Sequence, residues 1–473
     1  MNAYNIINNS SNIDDNNDND TTKEIEITVH NDEMKPFSFD YLPVSNENSS
    51  NNNIIPIQTI QKLINVTNQA SLFSSYSNLT STIIGAGILG LPYAFSQFGW
   101  ILGLILLTLT GLSSAFSLVL LSLCAKQVSN KPSSFHAVAE ICMPTFSYLI
   151  DAAVAIKCWG VATSYLIIIS DLMPIFCVQA QCHEEFYARD IWVTIAFIII
   201  TPLSCFNNID ALKWTSSLSL VFILLIAVLV ILYSIPNNGT ILDPCPPDQY
   251  TDRSYCTSEK KSFNLEINSL KVFPIFVFGF TCQQNIFSIV NELKVPTPAR
   301  INSVILSSIG SSYIIYIIIG LCGYWTFGDK VKSDLLLNFP MNRISSFARF
   351  CVSLVVLFHY PLQLNPARKC ILSMLRSVDN EEVVDSVAYC RKYFIITTVF
   401  LISSYSVALA TNDLGVMMSL VGASGSTIVT YILPGSFYYM IHRRDNTIKK
   451  KLAMLMIITG LLIIPLCIIA QFL

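Results

Sequence analysis

The groups best placed to do chemistry in this chain are backbone groups. The run from Asn78 to Trp100 is apolar and long enough to cross a bilayer, yet it carries helix breakers at Gly85, Ala86 and Gly87. In hydrocarbon every N–H and C=O must find a partner, so a helix broken at mid-depth lines a cavity or a ligand. If the helix unwinds there, the N–H groups of Gly87, Ile88 and Leu89 open a second half-helix whose positive end can receive a carboxylate. A second apolar run, 272–293, holds Pro274, Gly279 and then a polar patch of Thr281, Cys282, Gln283, Gln284 and Asn285. Such a patch at membrane depth is expensive unless it is solvated or bound. Free carbonyls near Phe280, Thr281 and Cys282, with Gln283 beside them, would hold an ammonium group. A zwitterion fits the two opposed dipoles. The alternative is that Gly85 and Gly87 only let helices pack closely, with Gln283 and Asn285 bonding between helices.

Neither broken segment adds a charged side chain at its break, and an unpaired charge in a dry site is costly, so a neutral guest is favoured. Thr163, Ser164 and Tyr165 offer a polar wall, although Ser and Thr in membrane helices commonly bond their own backbone. Lys157 lies within a further apolar span, where a charge implies a partner or a cavity. Asp151 and Asp171 are its nearest acids in sequence, and neither stands at the i,i+4 spacing of a helical ion pair.

The elements that must position these groups are membrane helices. The chain is 52% hydrophobic and 12% charged, with a mean hydropathy of +0.54; soluble domains carry about 25% charged residues. Apolar runs at roughly 74–97, 100–124, 146–177, 190–206, 213–235, 269–291, 302–327, 344–366, 393–411, 415–441 and 450–472 predict eleven transmembrane helices in an all-α polytopic fold. The two interrupted runs are the first and the sixth. They hold corresponding places in two five-helix halves, the pattern of a binding site built on an inverted repeat. Residues 1–70 are rich in Asn, Asp and Ser, and are expected to form a disordered cytosolic tail before a transmembrane domain at 71–473. Loops on the tail's side of the membrane carry more Lys and Arg, which puts the N-terminus in the cytosol and, with eleven spans, the C-terminus outside or in a lumen.

The largest outer loop, roughly 236–268, carries the sequon Asn238-Gly239-Thr240 and the cysteines Cys245 and Cys256. Asn238 is a candidate glycosylation site, and the two cysteines can pair with each other or with Cys182 in an oxidising lumen. No His/Cys cluster suggests a metal, no cofactor is expected, the net charge of -3 gives no reason for a nucleic-acid partner, and no nucleophile motif suggests an enzyme.

The runs IIGAGILGLPYAF at 83–95, GYWTFG at 323–328, LLLNFP at 335–340, NPARK at 365–369 and LVGASGSTIVTYILPG at 420–435 resemble the amino acid/auxin permease family. Within it they are most similar to the sodium-coupled neutral amino acid transporters, solute carrier family 38. The likeness spans roughly residues 70–472. It implies a LeuT-type inverted repeat of five plus five helices with one extra C-terminal helix, and alternating access around a site between helices 1 and 6. It also implies ion coupling at Ser81, with Ile84 nearby, and at His359. Ser81 stands where sodium-coupled members have an asparagine, and His359 where they have a threonine. An imidazole is a poor ligand for a hard cation but titrates near neutral pH, so a proton becomes a coupling candidate beside sodium. Glu292 matches a family glutamate and is read as a cap or gate.

Two functions follow. One is secondary active transport of neutral amino acids, at the plasma membrane or an endolysosomal or vacuolar membrane. The other is an amino-acid sensor that signals through a cytosolic partner of its tail.

Overall fold

The structure is a computed structural model, and it describes residues 70–128, 132–205, 213–235, 242–246, 259–379 and 386–472. Residues 1–69, Asn238 and Cys256 lie outside the described residues. The described part is all-helical apart from one isolated bridge. The main helices are α1 (Leu72–Ile83), α2 (Gly87–Phe98), α3 (Trp100–Ala125), α4 (Ser147–Gln179), α5 (Arg189–Cys205), α6 (Lys213–Ser234), α7 (Pro274–Gly279), α8 (Ile286–Glu292), α9 (Pro298–Phe327), α10 (Arg343–Asp379), α11 (Ser386–Ala410), α12 (Leu414–Val421), α13 (Leu433–Ile441) and α14 (Ile448–Phe472).

Among the described residues, eight helical stretches are long and apolar enough to cross a membrane, or nine if α1 and α2, bent by 48° at their break, count as one span. Eleven were expected from the sequence. The remaining two expected spans correspond to α5, with 17 residues, and to the broken stretch holding α7 and α8, with 6 and 7 residues. At about 1.5 Å per residue, none of these three pieces reaches across the roughly 30 Å hydrocarbon layer alone.

Burial separates the helices into two kinds. α4 is buried around most of its circumference, as expected of a helix at the centre of a bundle, and it packs along α10. α14 buries little beyond Ala453, Met456, Gly460, Cys467 and Ala470, and exposes Leu455, Leu462 and Ile469 to what would be lipid. Local signals set the ends. Ser71 caps α1 by accepting from the Ser74 N–H at 3.1 Å, and Thr297 with Pro298 opens α9. Asp413 caps α12 through the Gly415 N–H at 2.7 Å.

The two broken stretches are tied to each other at both ends. The residue before α1, Ala70, donates to Glu292 O at 2.7 Å and accepts from the Lys294 N–H at 3.1 Å, a parallel bridge to the end of α8. Glu292 therefore takes part through its carbonyl. At the opposite end, Phe98 O accepts from the Asn264 N–H at 2.8 Å, and Gln97 O accepts from the Ser269 hydroxyl at 2.7 Å. This fastens the end of α2 to the approach of α7.

Polar side chains close the loops. Arg189 pairs with Asp171 at 3.0 Å and donates to Thr411 O and Asn412, capping α11. Cys245 is disulfide-bonded, whereas Cys182 is free. Between α9 and α10, Asp334 is fully buried and accepts from the Leu336 N–H at 2.9 Å. Burial, and then the negative charge of Asp171, push its carboxyl from 3.8 up to about 7, against the pull of that N–H and of Arg349.

A carboxyl held above its usual range stabilises the fold in its protonated form. That contribution is complete below about 3.8 and is lost as the pH rises through about 7. The protein in detergent should therefore melt at a higher temperature near pH 5 than near pH 8, and Asp334→Asn should narrow the gap. An identical gap in the variant would place the pH dependence elsewhere.

Candidate functional site

α1 stops because its chain turns at Ile84, with φ -82 and ψ 54, and at Gly85, whose N–H reaches back to Ile83 O at 2.9 Å. α2 starts at Gly87 with no side-chain cap. Gly87 and Ile88 thus occupy the first helical positions, where an N–H has no acceptor within the helix. The Leu89 N–H, the third expected donor, instead bonds Ala86 O at 3.3 Å.

The second break is more heavily bonded. Phe280 O accepts from the Ser114 hydroxyl at 2.7 Å, and that hydroxyl accepts from Gln283 Nε2 at 2.9 Å. Gln283 Oε1 accepts from the Cys282 N–H at 3.0 Å and from Thr430 at 3.1 Å. Phe280, Cys282 and Gln283 are therefore spent on holding the unwound turn, and none of the three lines the cavity. Asn285 Nδ2 donates to Thr82 at 2.7 Å, bonding one break directly to the other.

The two unwound turns meet at glycines. A Cβ on Gly87 would sit 2.7 Å from the Cα of Gly279, so only glycine lets the backbones approach this closely. Tyr316 of α9 completes the junction, its buried hydroxyl lying 2.6 Å from Ile83 O and 2.7 Å from Gly279 O. One donor is thus shared between the last carbonyls of α1 and α7.

Beside this junction lies a small cavity. Its walls include Gly85, Ala86 and Gly87 of the first break, Phe278 and Thr281 of the second, and Gln363 of α10. The third wall is one face of α4, formed by Lys157, Val161 and Tyr165. Tyr165 is hydrogen-bonded to Gln363, and a Cβ on Gly85 would meet its hydroxyl at 3.0 Å. Thr163 and Ser164 lie off this face. They bond Trp159 O and Gly160 O of their own helix, the backbone alternative considered for them from sequence.

The structure satisfies the expected ion-coupling residues individually. Ser81 donates to Asn78 O at 3.1 Å. His359 is buried, and its Nε2 lies 2.9 Å from the Ser219 hydroxyl of α6. Its ring lies 6.2 Å from that of Tyr165, one residue away from the cavity. Gln363, Val161, Phe278 and Tyr316 were not foreseen. A helix register would have found Val161, which is four residues from both Lys157 and Tyr165, whereas nothing in the sequence marks Tyr316.

Comparison with known proteins agrees with this geometry. Residues 68–473 match the family described as transmembrane amino acid transporter protein. Vacuolar amino acid transporter 5 of Schizosaccharomyces pombe is 32% identical over 379 residues, covering 80% of this chain and 86% of the relative. Vacuolar amino acid transporter 6 of Saccharomyces cerevisiae is 30% identical over 449 residues, covering 85% of this chain and 98% of the relative. Among solved structures, the inward-facing conformation of Mhp1 superposes with a TM-score of 0.56 at 15% identity, covering 85% of this chain and 91% of that one. Its closed form with bromovinylhydantoin bound gives 0.54 at 15% identity, covering 86% and 93%. At this identity the likeness is one of fold.

The Tyr316 clamp is open to test. Tyr316→Phe should leave two buried carbonyls short of a donor and cost about 1–3 kcal/mol, read as a lower melting temperature in detergent. An unchanged melting temperature would show that water already serves these carbonyls.

Proposed function

The chain belongs to the transmembrane amino acid transporter family, and from that premise we propose that it moves α-amino acids across a membrane by alternating access around the cavity between its two helix breaks. The observation that carries this reading is the meeting of both interruptions at one cavity. Two separate packing defects have no reason to share a wall, a hydroxyl clamp and a direct side-chain bond. Its relatives are transporters, not enzymes.

In this reading the substrate carboxylate docks on the Gly87 and Ile88 N–H groups, at the positive end of α2, with the Tyr165 hydroxyl alongside. The ammonium lies toward the carbonyl ends of α1 and α7, where Tyr316 now sits. The expectation of a neutral side chain followed from the broken segments alone. The cavity's third wall adds Lys157, so side-chain selectivity belongs to the cavity as a whole.

We place ion coupling, by sodium or protons, at Ser81, Ile84 and His359. His359 is the candidate for the proton because imidazole is a titratable group and this one lies behind Tyr165, bonded to the Ser219 hydroxyl. Eleven helices with the five-plus-five repeat, a cytosolic N-terminus, glycosylation of Asn238 and a Cys245–Cys256 disulfide complete the proposal. The names of the relatives favour a vacuolar or endolysosomal membrane over the plasma membrane.

Reconstituted full-length protein should accumulate labelled amino acid when a sodium or a proton gradient is imposed, and lose it when the gradient is collapsed. Retained binding without uptake under either gradient would overturn transport in favour of a sensor signalling through residues 1–70. Where protons drive uptake, His359→Ala should flatten its pH dependence; an unchanged profile would leave His359 only its bond to Ser219.

A further inference from the structure

We infer that Lys157 is a fixed cation of the binding cavity whose partner is a carboxylate on the substrate's side chain, so that the site prefers acidic amino acids. This rests on the amino acid transport reading and adds a substrate class to it.

Lys157 is 1% exposed and lies eleven residues into the 33-residue helix α4, about 15 Å from its start. It lines the same cavity as Gly85, Gly87, Tyr165 and Thr281. Among the described residues its ammonium has no hydrogen bond and no ion pair, and the titratable groups that surround it are the thiols of Cys158 and Cys282. The acids that might have served it are committed elsewhere. Asp151 bonds His136 at 2.8 Å and also the Ser373 hydroxyl. Asp171 bonds Arg189 at 3.0 Å.

The root of the side chain is held in place. Gly425, in the π-turned stretch Gly422–Ser426 that follows α12, lies so close that a Cβ there would be 2.8 Å from the Lys157 Cβ. The stem therefore leaves α4 from a backbone wedged against its neighbour. Its amine has the cavity beside it and apolar helix around it.

A buried ammonium without an anion costs several kcal/mol, and a site that closes around its guest excludes the water that could relieve the cost. Counting the charges settles which guest does relieve it. The α-carboxylate and α-ammonium of any amino acid cancel each other and are matched by the helix ends at the two breaks. Lys157 then leaves one positive charge in excess. A neutral side chain leaves that excess in place, a basic one doubles it, and an acidic one removes it. The same ammonium stands close to Cys282 at the second break and repels any second cation brought there.

The test compares isosteric pairs in proteoliposomes containing the full-length protein. Glutamate and aspartate should be taken up, or should compete for uptake, at least about tenfold better than glutamine and asparagine, because a site built to bond a substrate group rejects the analogue that lacks it. Lys157→Met should reverse that order, and Lys157→Arg should keep it. Preference of the unaltered protein for the amides would overturn the assignment whether or not either variant folds. Absence of all uptake would instead defeat the transport reading. In that case the charge assignment stands or falls on whether glutamate, rather than glutamine, raises the melting temperature of the protein in detergent.

Discussion

In a bilayer a helix can stop only where something else satisfies the backbone groups it releases. Two stops at one depth double that demand, and the fold around α1, α2, α7 and α8 answers it. Ile83 O and Gly279 O share the Tyr316 hydroxyl, Phe280 O takes Ser114, and the Cys282 N–H takes Gln283. The two hydroxyl donors come from different places in sequence. α9 must bring Tyr316 to the junction, and α3 must bring Ser114. Among the described residues the N–H groups of Gly87 and Ile88 remain as the junction's unspent polarity. The proposed carboxylate site is what is left over after the carbonyls have been served.

The same constraint explains why the helix breaks are legible in the sequence and the face of α4 is not. The breaks are legible because Gly85-Ala86-Gly87 and the patch after Gly279 are anomalies within apolar runs. The face of α4 is not legible, because a helix buried on nearly every side shows no polar stripe to set its phase. Thr163 and Ser164 look like a polar wall, yet the register through Lys157, Val161 and Tyr165 is the one that faces the cavity. Gln283 carries a related ambiguity: a polar residue at membrane depth signals a demand for hydrogen bonds, and the demand can come from the backbone as well as from a ligand. The helix count differs because the broken span lacks the length of a free-standing crossing and α5 is described only as far as Cys205, although the apolar residues of both are plain in the sequence.

The positions of the ties between the broken stretches describe a mechanism. Ala70 joins the beginning of α1 to the end of α8, and Gln97 and Phe98 join the end of α2 to the approach of α7. α1 with α8, and α2 with α7, are thus bonded pairs, each fastened at the end remote from the cavity. The Asn285 bond to Thr82 adds to the first pair and the contact of Gly87 with Gly279 to the second, while the Tyr316 hydroxyl, shared by Ile83 O and Gly279 O, links one pair to the other across the unwound turns. In the proposed transport cycle, rotation of one pair against the other would leave the ties within each pair intact and act on the Tyr316 junction. A ligand spanning the two turns would bring its ammonium to the carbonyls that Tyr316 serves now and its carboxylate to the N–H groups of Gly87 and Ile88. Binding and reorientation then draw on the same handful of hydrogen bonds, and a substrate that satisfies them in both arrangements is one the protein can carry from one side to the other.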